Sequence, residues 1–183
     1  MKLLVRACVA LLLSCAVAGA DDHSSPFAAD KWSLELTGSY TTHIHNSREH
    51  VDTMTLASGY YLMNNLAIGG RASGLVVDQV GENAEGLALE LFFRYHWLTV
   101  DRLSLYADIA GGRMWTDTAT RPRGTTYNWT GRTGLGAAIR LSQRLNLIGG
   151  VRYFHYSNGN EHGRDKNPAY DGLETYLGLM YSF

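Results

Sequence analysis

The chain lacks most of what would hold a small soluble domain or a helical membrane protein together. Only two of its 183 residues are cysteine, Cys8 and Cys15, and both precede residue 20. A domain built from the remainder has no disulfide and no thiol chemistry. There are just three prolines to interrupt extended segments. Beyond the N-terminus no apolar run approaches the ~20 residues of a transmembrane helix, and no helical apolar period is sustained. Positive charge is not in excess either. Lys2 and Arg6 fall in a leader, which leaves 14 basic residues against 17 acidic ones, a net −3. That excludes a nucleic-acid footprint.

What is present begins with the leader. Lys2 and Arg6 open it, an apolar run follows, and Ala18-Gly19-Ala20 forms a small-residue cleavage pattern. Residues 1–20 are expected to be a signal peptide, leaving 21–183 as one domain of 163 residues. Leu12-Leu13-Ser14-Cys15 resembles a lipoprotein processing site with Cys15 lipidated, but the Ala-x-Ala site is better formed. An exported chain rich in Tyr and Gly, without cysteine or an apolar helix, suits a β-barrel of a bacterial outer membrane.

Period-2 segments support this. Eight are read, over 32–44, 53–63, 66–77, 86–98, 102–114, 126–140, 143–157 and 172–183. Each can cross the hydrocarbon as a tilted strand of ~9–11 residues, and an even number suits a single-chain barrel. Their connections alternate. The links at 64–65, 99–101 and 141–142 are short, whereas 45–52, 78–85, 115–125 and 158–171 are long and polar. Short periplasmic turns and long external loops then place both termini in the periplasm.

The faces separate as well. Leu87, Leu89, Leu91, Phe93, Tyr95 and Trp97 alternate with Ala88, Glu90, Phe92, Arg94 and His96. Arg71, Glu90, Arg94, Asp108, Arg132 and Arg152 share the polar face, with both signs available to pair in a narrow lumen. The reading is an all-β, eight-stranded antiparallel transmembrane barrel. A barrel of this size has no wide pore, which argues against transport. Trp32 and Trp97 should mark the periplasmic interface and Trp115 and Trp129 the outer one. The chain ends on Tyr181-Ser182-Phe183, with both aromatics expected to face lipid.

One stretch carries chemistry. In Val151-Arg152-Tyr153-Phe154-His155-Tyr156-Ser157-Asn158, His155 and Ser157 share a strand face with Tyr153, Leu147 and Leu145. A histidine two residues from a serine can act as base beside a nucleophile. The shared face is the apolar one, so the pair would face lipid at the outer end of the seventh strand. Asp171 and Glu174 open the eighth strand beside them and could supply an acid that orients the imidazole. Asn158 could donate to an oxyanion. Strict alternation puts Glu174 on the lumen face, so it reaches His155 only if a bulge re-aims it. Asp171 is the fallback acid.

The segment His155-Tyr156-Ser157-Asn158, a loop with Asn167-Pro168, then Asp171-Gly172-Leu173-Glu174 and a terminal aromatic strand resemble the lipid A 3-O-deacylase (PagL) family. The resemblance implies an outer-membrane esterase that removes the 3-position hydroxyacyl chain of lipid A. It implies Ser157 as nucleophile, His155 as base, Glu174 as orienting acid and Asn158 as oxyanion donor. No cofactor, metal or nucleic acid is implied. The partners would be lipid A within lipopolysaccharide and outer-membrane lipid, with a homodimer left open. The alternatives are a phospholipase-like acyl hydrolase using the same triad, and a structural or adhesive small barrel.

Other candidates lie elsewhere. His43, His45, Glu49 and His50 cluster by sequence and could ligate a metal, though a polar rim explains them as well. A mature start at Asp21-Asp22-His23 could wrap Cu(II) or Ni(II). Arg48, Arg121, Arg123, Arg164 and Lys166 fall on long loops and could contact lipid A phosphates.

Overall fold

The computed structural model describes residues 25–45, 48–161 and 163–183. The expected leader and cleavage site and Asp21-Asp22-His23 lie outside the described residues. Eight antiparallel strands, β1 (Trp32–His43), β2 (His50–Met63), β3 (Leu66–Asp78), β4 (Ala84–Val100), β5 (Leu103–Thr116), β6 (Tyr127–Arg140), β7 (Leu145–Ser157) and β8 (Tyr170–Ser182), pair in sequence order. Pairing of β1 with β8 closes the barrel, so no edge is left with unpaired backbone groups. A 3₁₀ turn over Arg164–Lys166 interrupts the last loop.

All eight expected strands form, with longer ends in several cases. β2 begins at His50 rather than 53, and β8 at Tyr170 rather than 172. The short connections are turns. Asn65 and Asp101 take positive φ values of 70° and 50°, which these two residue types tolerate better than most. The register shifts between β2 and β3 and between β4 and β5 both sit at this short-turn rim.

The barrel is apolar outside and polar within. Leu87, Leu89, Leu91, Phe93, Tyr95 and Trp97 are exposed on the wall, while Ala88, Glu90, Phe92, Arg94 and His96 are buried in the lumen. Period-2 patterning sends alternate side chains to opposite faces, and only hydrocarbon makes this polarity favourable. Trp32, Trp97, Trp115 and Trp129 all stand outward at strand ends. Only part of the terminal expectation survives. Phe183 is exposed, but Tyr181 is covered, with its hydroxyl 3.5 Å from a guanidinium nitrogen of Arg144.

The lumen is filled by charge. Arg94 grips Glu35 in a fork at 2.6 and 3.1 Å, and Arg71 and Arg152 hold Asp108 at 2.6 and 2.8 Å. Arg132 pairs with Glu90 and lies 3.2 Å from Glu174. These four guanidinium groups face four carboxylates, so the buried charge is balanced. The void left among them is about 10 Å³, room for one water at most. At the short-turn rim Phe27 stacks on His96 at 3.9 Å and corks the lumen. At the other rim Tyr156 and Tyr170 stack at 4.8 Å, and Arg121 reaches across to Glu49 at 3.2 Å and to the Ala169 carbonyl. The interior is thus a packed ionic core, and the surface available for chemistry is the outer wall.

Candidate active site

The wall at the long-loop end of β7 and β8 carries the candidate constellation. β7 and β8 pair in unbroken register from Leu145↔Tyr181 to Tyr156↔Tyr170. His155 and Asp171 are direct cross-strand partners in that register, and both point outward. Cross-strand neighbours on one face bring their Cβ atoms within ~4.5–5.5 Å, close enough for an imidazole and a short carboxylate to bond. His155 Nδ1 lies 2.8 Å from Asp171 Oδ1, and its Nε2 lies 3.2 Å from Ser157 Oγ.

The acceptor chemistry sets the tautomer. A carboxylate only accepts, so Nδ1 carries the proton and donates to Asp171. Nε2 is then left to accept from the Ser157 hydroxyl. Tyr153, one outward position before His155, donates its hydroxyl to the same Asp171 oxygen. Both His155 and Asp171 are about one-third exposed. The result is a serine, an imidazole and a carboxylate in a hydrogen-bonded row that opens onto the lipid-facing wall.

Glu174 does not join this row. The register has no bulge between Asp171 and Tyr176, so Glu174 keeps its lumen-facing position. It is 2% exposed and sits by Arg132 at 3.2 Å and Arg152 at 3.9 Å. The fallback acid Asp171 occupies the place where sequence placed Glu174 by resemblance. The reason is the early start of β8, which makes Asp171 a strand residue opposite His155 instead of a loop residue.

Asn158 also has a different setting from the expected one. It is 2% exposed and turned into the loop over 158–169. Its backbone N–H donates to Asn167 Oδ1 at 2.8 Å, and its side-chain amide donates to the Lys166 carbonyl at 2.5 Å. Its own Oδ1 accepts from the Asn160 N–H at 3.0 Å. These bonds make Asn158 an organiser of the loop. The next residue, Gly159, has φ of +66° and lies against Trp129, whose strand position is paired with Ser157. Among the described residues its N–H has no hydrogen-bond acceptor. Gly159 is thus a candidate donor that sequence reading missed; its place directly after Ser157-Asn158 was the available signal.

Beside His155 the wall first carries two glycines. The outward neighbour of His155 on β6 is Gly131, followed by Gly111 on β5. Leu91 on β4 comes next, then Gly70 on β3 and Ser58 on β2. An open groove of about 900 Å³ lies over Gly111, Leu91, Gly70 and Ser58, starting two strands from His155, with larger residues such as Leu56, Leu89, Trp115 and Trp129 at its sides. The four-residue metal candidate is split. His43 faces the lumen against Tyr170 at 4.7 Å, Glu49 is held by Arg121, and His50 points outward towards Asp52 and Asp78 at 3.8 Å. Among the described residues no group of three ligating side chains converges.

Comparison with known proteins agrees with the barrel fold. Residues 23–180 match the family described as lipid A 3-O-deacylase (PagL). No curated protein matches the chain significantly. Among solved structures, the outer membrane enzyme PagL is similar, with a TM-score of 0.54 and 18% identity over 81% of this chain and 98% of that one. Neisserial surface protein A superposes with a TM-score of 0.57 at 12% identity, covering 84% of this chain and 96% of that one. OprG of Pseudomonas aeruginosa gives 0.55 at 14% identity, covering 87% and 99%. At such identities the structures speak for the fold, an outer-membrane barrel, while the family match spans most of the chain. The chain is an outer-membrane ester hydrolase belonging to the lipid A 3-O-deacylase (PagL) family.

Proposed function

We propose that this protein removes the 3-O-linked hydroxyacyl chain of lipid A through Ser157, His155 and Asp171. The observation that supports the reading best is the Ser157–His155–Asp171 hydrogen-bonded row on a lipid-facing wall. The long-loop rim is taken as the outer one, because external loops are the longer ones in such barrels.

The steps follow from the donors and acceptors. His155 Nε2 takes the proton from Ser157 as Oγ attacks the ester carbonyl. Asp171 holds the imidazole tautomer and stabilises the imidazolium that forms. The Gly159 N–H is the donor available to the oxyanion. His155 then returns the proton to the departing sugar oxygen, and the sugar leaves with a free 3-hydroxyl. Water, deprotonated by the same imidazole, attacks the acyl-enzyme and releases a hydroxy fatty acid. The bare lane past Gly131 and Gly111 begins beside His155 and gives the acyl chain a place along the wall.

The test is mass spectrometry of lipid A exposed to the purified protein in mixed micelles. Wild type should release the 3-O chain. Ser157→Ala should lose the activity by about 10⁶-fold, while its heat-modifiable mobility on electrophoresis stays unchanged. Wild-type activity on phospholipid alone would move the assignment to a phospholipase. Release of no fatty acid from either lipid would leave a structural barrel.

A further inference from the structure

Two strands from Ser157 stands a charge that the reaction above does not use. Arg113 lies on the outward side of β5, paired with Trp129 on β6, which is paired in turn with Ser157 on β7. With strands about 4.8 Å apart, the Cα atoms of Arg113 and Ser157 are separated by roughly 10 Å. The Arg113 guanidinium sits over the Trp129 ring at 2.9 Å from its centroid and over Tyr127 at 4.5 Å. The Trp129 indole N–H and an Arg113 N–H converge on a single acceptor, Glu161 Oε1, at 3.0 and 3.4 Å.

Glu161 comes from the loop that follows Ser157, and its side chain is 43% exposed against 22% for Arg113. A guanidinium and an indole N–H aimed at one oxygen form a seat for an anion. Nothing in that donor pair requires a carboxylate, and a phosphate, with more charge and more acceptor oxygens, suits a guanidinium at least as well. Of the loop cations named from the sequence, Arg121 is turned to Glu49 and the Ala169 carbonyl.

We propose that the Arg113–Trp129 seat receives a phosphate group of the substrate and that Glu161 is a placeholder which the phosphate displaces. This rests on the lipid A reading given above. A guanidinium on a lipid-facing wall needs a counter-charge when no substrate is bound, and Glu161 supplies one. Exchange replaces one anion with another, and the released carboxylate moves into solvent that it already meets. A phosphate held there fixes the sugar at the rim, with its ester over Ser157 and its acyl chain entering the lane beside His155. The seat therefore selects phosphorylated lipid.

The test compares bisphosphorylated and fully dephosphorylated lipid A in detergent micelles. Binding is followed by tryptophan fluorescence in the Ser157→Ala protein, and turnover in the active protein. Wild type should prefer the phosphorylated lipid in both measurements. Arg113→Gln should reduce that preference ~10-fold, mainly through Kd and KM. Glu161→Gln should increase it several-fold by vacating the seat. Equal binding of the two lipids by wild type would overturn the proposal. So would Arg113→Gln and Glu161→Gln each slowing both lipids alike, the result expected of a latch that only holds the loop. Phosphate-dependent binding without any fatty-acid release would support the seat and sink the esterase reading alone.

Discussion

At the residue scale the two acids near the start of β8 divide their work by parity. Asp171 points outward to His155, and Glu174, three positions on, points into the lumen to Arg132 and Arg152. Their substitutions should therefore fail in different ways. Asp171→Asn keeps the shape but loses the charge that orients and stabilises the imidazole. It should lower kcat about 10²–10⁴-fold with heat-modifiable mobility unchanged. Glu174→Gln removes a counter-charge from buried Arg132. It should cost roughly 3 kcal/mol of stability, the low end for a broken buried ion pair, because Arg132 keeps Glu90. Unfolding in denaturant read beside initial rates separates the two. A kinetic collapse in Glu174→Gln with unaltered stability would reverse the assignment. Tyr153 adds a third contact, since its hydroxyl fixes the same Asp171 oxygen that His155 uses.

At the scale of elements, what matters is register and what the strands leave out. β7 and β8 pair without a bulge, and this alone brings His155 opposite Asp171. The lane beside His155 exists because β6 and β5 place Gly131 and Gly111 at successive outward positions. A Cβ at Gly131 would meet nothing within 4 Å, and one at Gly111 would meet only the Thr130 carbonyl oxygen at 3.5 Å. Side chains can therefore be added there without disturbing the barrel. Gly131→Leu and Gly111→Leu should give folded proteins whose KM for long-chain substrate rises, with a smaller effect on a short-chain ester. Equal losses on long and short chains would show that the lane is not where the chain lies. The loop over 158–169 is organised from within, by Asn158 bonding to Lys166 and Asn167, which holds Gly159 beside the Ser157 level.

At the scale of the molecule the barrel brings its chemistry to the lipid. The lumen is closed by paired charge and stacked rings, so a site at Ser157 would be reached by lateral diffusion along the wall. Extraction into water would expose acyl chains at ~0.8 kcal/mol per CH₂, and a site on the outer wall avoids that cost. The arrangement works only if the long-loop rim faces the outside. Epitope tags placed in 117–126 and 158–169 should then be labelled on intact cells, and a tag at the 64–65 turn only after the membrane is opened. Labelling of the 64–65 turn on intact cells would put the site on the periplasmic side and remove it from the outer leaflet.

Much of this was legible in the sequence, because a barrel in lipid imposes a period of two on every strand and alternating lengths on the connections. The eight strands, the apolar exterior, the paired lumen charges and the outward placement of His155 and Ser157 all follow from those two patterns, without knowledge of which strand touches which. The acid could not be decided that way. Alternation pointed Glu174 inward, resemblance pointed it at His155, and a bulge would have reconciled them; only the continuous β7–β8 register gives His155 to Asp171 and Glu174 to Arg132. Asn158 is likewise a loop residue whose backbone N–H and one side-chain N–H are taken within the loop, a fact set by Lys166 and Asn167 folding back upon it. The lane and the Arg113–Trp129 pair need neighbouring strands in register, since each joins residues far apart in sequence that only strand pairing brings together. Periodicity along one strand determines which face a side chain takes; hydrogen bonding between strands determines which side chain it meets.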